Sequence, residues 1–151
     1  MRPGRPSVVW AAGVAVAAIV FVTGCSQMGA RMDKAAASAT GLTLSGAQEV
    51  PPVNTQASGV SSIAVIGDKA LTGGVQTTNL NGTAAHIHMA PSGQNGPVII
   101  PLNKTGDNTW SVPANTILTS AQFDAYRAGN LYVNVHSAAN PGGEIRAQLK
   151  P

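Results

Sequence analysis

The chain contains three histidines, and two of them stand one residue apart in Ala84-Ala85-His86-Ile87-His88-Met89. The third closes the run Leu131-Tyr132-Val133-Asn134-Val135-His136. Imidazole can change charge near neutral pH and can ligate a metal through a neutral ring nitrogen. On a β-strand, residues two apart share a face, with Cα atoms about 6.6 Å apart and the neighbouring strand about 4.8 Å away. Rings so placed can lean together and hold an ion at about 2.0–2.1 Å from each nitrogen. Imidazole suits zinc, copper, iron or nickel, and copper(II) binds most tightly in the divalent series. Met89 falls on the face of Ile87, away from His88, and reads as packing rather than as a sulfur ligand. The same spacing also suits two solvated histidines on an open strand face, with His136 as a hydrogen-bonding residue at a loop edge. Other chemistries find less support. No G-x-S-x-G nucleophile elbow occurs, and Asp68, Asp107 and Asp124 fall in turns or a helix without a paired-carboxylate pattern.

The elements that would carry these residues are short and β-prone. From Leu42 onward, runs rich in Val, Ile, Leu and Thr are cut by Gly-Asp, Asn-Gly and Asn-Pro-Gly-Gly turns, a pattern of sandwiches and barrels. Strands are expected over 41–46, 58–66, 70–80, 83–89, 97–102, 108–112, 131–136 and 143–149. One segment differs. Thr119 with Gln122 spells a capping box, Leu118 and Phe123 occupy the staple positions, and Gly129 provides a stop. A single helix near 120–128 follows, turning Phe123 and Tyr126 to the core. The expected fold is an all-β, antiparallel, Greek-key-like β-sandwich with that one helix. Alternation places Leu131, Val133 and Val135 on the core face and Tyr132, Asn134 and His136 opposite. Likewise Ile145, Ala147 and Leu149 point inward while Glu144, Arg146 and Gln148 point outward. All three histidines thus fall on faces away from the core, and Arg146, Asn134 and Glu144 become candidates to support a metal from behind. Glu144 and Arg146 share a face and can pair, which if exposed contributes only about 0–1 kcal/mol. Gln48-Glu49-Val50-Pro51-Pro52 reads as a strand end stiffened by two prolines, and Trp110 and Tyr132 as packing residues.

The N-terminal end carries an address. Arg2 and Arg5 precede an unbroken stretch of apolar residues and glycine from Val8 to Val22, which fits a signal-peptide core and is short for a membrane span. It runs into Val22-Thr23-Gly24-Cys25, which resembles the lipobox of bacterial lipoproteins. That resemblance implies cleavage of residues 1–24 and acylation of Cys25, with several chains giving stable anchoring where one would not. Residues 25–40, small and polar, would tether the domain at 41–151 to a membrane of the cell envelope, facing the periplasm or exterior. Cys25 is the only cysteine, so no disulfide staples the fold. Loss of Arg2 and Arg5 leaves seven basic residues of nine against six acids, a formal charge of +1. With no basic stripe and few aromatics, nucleic acid is not expected as a partner.

The stretches "LSGAQEVPPVNTQASGVSSIAV", "AHIHMAPSGQNGPVIIPL" and "LYVNVHSAANPGGEIRAQL" resemble the CHRD domain, named for its repeats in chordin and widespread in bacterial exported proteins. The likeness covers nearly all of residues 42–149 and implies an all-β domain. A weaker resemblance is to copper/zinc superoxide dismutase. There an H-x-H strand supplies two copper ligands, and a later strand adds a histidine before a Gly-rich turn and an arginine. That likeness implies copper ligation by His86, His88 and His136, with Arg146 in the place of the substrate-guiding arginine, though at a different spacing. With three histidines in all, neither the bridging ligand nor the zinc site of that family can be formed. Two functions follow as expectations. One is a copper-binding envelope lipoprotein in copper handling or superoxide-related chemistry. The other is a metal-free, non-catalytic module whose loops 90–97 and 137–143 meet a protein partner.

Overall fold

A computed structural model describes residues 41–151, together with Met1 and Gly4. The signal segment, Cys25 and the tether lie outside these residues. Among the described residues eleven strands form: β1 (Leu42–Ser45), β2 (Ser58–Ser61), β3 (Ala64–Ile66), β4 (Ala70–Thr72), β5 (Gly74–Thr78), β6 (Gly82–Met89), β7 (Val98–Pro101), β8 (Asn103–Gly106), β9 (Thr109–Ser111), β10 (Leu131–Ser137) and β11 (Ile145–Gln148). A 3-10 turn at Gly46–Gln48 follows β1, and one helix, α1 (Ser120–Arg127), precedes β10. The expectation of an all-β antiparallel fold with one short helix is met. Thr119 and Gln122 make the reciprocal capping box, and Gly129 ends the helix at φ +71°.

The layers of the sandwich belong to one continuous sheet of nine strands, in the order β7-β6-β10-β11-β1-β2-β5-β9-β8. Its two edges are consecutive in sequence. β7 pairs with β6, Leu102 N donates to Ala85 O at 2.9 Å, and β8 then pairs with β9. The segment 98–106 therefore nearly closes the sheet on itself, which satisfies the backbone groups that an open edge would expose. Residues 103–106 formed no expected strand because "NKTG" has no apolar alternation. All four of its residues are exposed, so backbone pairing with β9 places it, helped by Lys104 Nζ, which donates to Gly82 O at 2.9 Å. Two expected strands are divided, 58–66 after Ser61 and 70–80 at Gly73 (φ +96°). There the chain leaves the main sheet to form the β3–β4 hairpin.

The period-two pattern fixes the interior. Leu44, Ile87, Leu131, Val133, Val135 and Ile145 are fully buried, each worth about 1.5–3 kcal/mol of burial. Tyr126 and the partly buried Phe123 bring α1 onto the same core. Among the described residues, no helix is long and apolar enough to cross a membrane.

Candidate metal centre

The pairing of β6, β10 and β11 assembles the site. β10 lies between the other two, with His88 opposite Tyr132 and His86 opposite Asn134 on one side, and Gln148 opposite Tyr132 and Arg146 opposite Asn134 on the other. Because alternation keeps step across all three strands, six polar or aromatic side chains share one face. That face is not the open surface the sequence suggested. Tyr132 and Asn134 are 2 % exposed, Arg146 1 % and His88 7 %. Two loops cover them: Asn95 Nδ2 donates to Val50 O at 2.7 Å, joining loop 90–97 to the segment after β1, and Arg146 reaches up to Asn95 Oδ1 and Gln94 O.

Each imidazole is fixed by its neighbours. His88 Nδ1 lies 2.9 Å from Gly96 O, and His136 Nδ1 lies 3.0 Å from Pro141 O. A carbonyl oxygen only accepts, so both Nδ1 atoms carry the proton and both Nε2 atoms present a lone pair. His86 Nδ1 lies 3.0 Å from His136 Nε2 and donates to it. The three rings offer ligand atoms that all lie within 4.8 Å of one another. Nitrogens on one ion at normal lengths stand at most about 4.2 Å apart, so small ring movements suffice to close the set. Gly96 is required where it stands: a Cβ there would meet Met89 O at 2.1 Å, and its carbonyl sets the tautomer of His88.

Electrostatics favour neutral rings. Burial, then repulsion from His136 and His88, holds the pKa of His86 below its usual value. Burial also lowers His88, outweighing the upward pull of the Gly96 carbonyl. The ring of His88 is stacked on Tyr132, at 7° and 4.7 Å between centroids. The Arg146 guanidinium carbon lies 3.4 Å from the centre of the same Tyr132 ring, so the Tyr–Arg contact backs the His88 imidazole.

Arg146 and Glu144, which share a face and could have paired, are separately engaged. Arg146 also donates to Gln148 Oε1, whereas Glu144 accepts from Thr55 at 2.6 Å and from Ser137. Those hydrogen bonds, with Asn140, bring the Glu144 carboxyl below its usual pKa despite the opposing effect of burial. Glu49, read from sequence as part of a stiff strand end, is the residue that reading missed. It is 4 % exposed, and burial raises its pKa to about 7 against the pull of Arg146, Asn134 and the Val50 backbone. An acid placed just before two prolines in an otherwise apolar and small-residue stretch was the available signal. Met89 packs against the core cluster, as its place beside Ile87 implied.

The family profile described as CHRD domain matches residues 40–149. No curated protein and no solved structure matches the chain.

Proposed function

The chain belongs to the CHRD-domain family, and we propose that it binds a single copper ion through His86, His88 and His136 at the bacterial cell envelope. The observation that carries this reading is the convergence of three ring nitrogens within 4.8 Å, two of the rings being locked by backbone carbonyls in the tautomer that exposes Nε2. A hydrogen-bonded tautomer and a stacked ring are what metal-ligating histidines require of their surroundings. All donors are imidazole nitrogens with no thiolate, a set for which copper(II) leads the divalent series. Three protein ligands leave coordination open to a small molecule, which suits copper handling or superoxide-related chemistry. Arg146 and Asn134 support the ligands from behind, and Glu144 braces the turn that follows β10.

Lipidation at Cys25 would hold this domain to the membrane. The reading is tested by copper titration of residues 41–151, which contain the whole core, with and without His88→Ala. One ion per wild-type chain and an affinity loss of at least about 100-fold in the variant are expected. Equal stoichiometry and affinity in both would overturn it and favour the metal-free partner-binding module.

A further inference from the structure

Among the described residues, four buried side-chain atoms lack a hydrogen-bond partner: Glu49 Oε1, His88 Nε2, Asn134 Oδ1 and Trp110 Nε1. Three of the four meet in one place, behind the histidine cluster. Leaving such a group unmade costs about 1–3 kcal/mol, so three together call for an explanation. As the side chains stand, each of the three is an acceptor without a hydrogen bond, and the Asn134 amide interacts with both Glu49 and His88. Gly143 makes the space for them. Its φ is +131°, and a Cβ there would fall 2.5 Å from Glu49 Oε1 and 2.6 Å from Asn134 Nδ2.

We propose that Glu49 and Asn134 form a carboxyl–amide relay through which an ion arriving at His88 expels the proton of Glu49. The relay rests on the metal-binding reading above. Its logic is the two-sidedness of the Asn134 amide, whose oxygen and nitrogen are assigned from the network around them. Without an ion, the amide turned over accepts the Glu49 O–H at Oδ1 and donates from Nδ2 to His88 Nε2, and all three acceptors are satisfied. With an ion on His88 Nε2, that nitrogen no longer needs a donor. The amide then returns Nδ2 to the Glu49 carboxylate, the Glu49 O–H bond breaks with its electron pair left on oxygen, and the proton passes to solvent. The carboxylate charge is offset by Arg146, the charged group that faces it. Glu144 takes no part, being held by Thr55 and Ser137, and His88 is reached only across Asn134. The raised pKa of Glu49, about 7, keeps a proton available at neutral pH.

The test is proton release on binding zinc(II), measured at pH 7 by calorimetric titration in buffers of different ionisation enthalpy, for the wild type and Glu49→Gln. Wild type should release about half a proton more per ion than the variant, as a group titrating near 7 would. Equal release from both, or loss of zinc binding in Glu49→Gln (which would make Glu49 a ligand), overturns the relay. Failure of the wild type to bind zinc or copper instead overturns the metal-binding reading. If the variant does not fold, the Glu49 carboxyl carbon is followed by NMR in the wild type. Its midpoint should fall clearly below its metal-free value of about 7 when zinc is added, and an unmoved midpoint contradicts the relay.

Discussion

At the scale of single residues, the site is a set of imidazoles with their protons already assigned. His88 is the most constrained: Gly96 O fixes its tautomer, and Tyr132 fixes its plane. Replacing Tyr132 by Leu keeps the bulk but removes the flat support and the Arg146 contact. Changes of this kind around a ligand cost about 10–100-fold in metal affinity, so a copper titration of Tyr132→Leu should show a loss in that range, smaller than that of His88→Ala. The histidines themselves were legible in sequence because H-x-H on a strand dictates a shared face. Glu49 was not. Burial raises its pKa, and the groups that oppose that rise, Arg146 and Asn134, come from nearly a hundred positions away, so no local pattern encodes such a meeting.

At the scale of elements, strict alternation along β6, β10 and β11 carried the inward and outward faces correctly from sequence. It could not show that the outward face is roofed. A strand pattern reports which side meets the core, whereas the path of loops 46–57 and 90–97 depends on long-range contacts such as Asn95 to Val50. The same limit explains β8, whose place is owed to backbone pairing with β9 rather than to side-chain pattern. The turn before β11 is where an element and the site depend on each other most. Gly143→Ala would place a methyl against Glu49 and Asn134 in a backbone conformation that L-residues avoid. Urea unfolding of this variant should show a loss of about 1–3 kcal/mol, and a loss below about 0.5 kcal/mol would mean that the cradle is looser than described.

At the scale of the whole molecule, the nearly closed sheet gives a disulfide-free domain whose stability depends on pH in two opposed ways. His86 and His88 have lowered pKa values, so the unfolded chain binds more protons and the metal-free fold weakens as pH falls below about 6.5. Glu49 is raised from 4.5 to about 7. Its contribution is fully present below 4.5 and is lost as pH rises through about 7. Below neutrality the two effects therefore oppose each other, so urea midpoints of the metal-free Glu49→Gln domain should fall more steeply than those of the wild type as pH drops from about 7 to 4.5, and the two should run parallel above about pH 7. Metal affinity should fall as pH drops and protons compete for the imidazole nitrogens. In the cell, Cys25→Ala should move the protein from the membrane to the soluble fraction, checked by fractionation and by loss of labelled acyl chains.

The central claim is that three imidazoles share one ion. X-ray absorption at the copper edge of the loaded protein tests it most directly. Three imidazole nitrogens at about 2.0 Å are expected, falling to two in His136→Ala. A first shell with fewer than three imidazoles in the wild type, or one unchanged by that substitution, would contradict it.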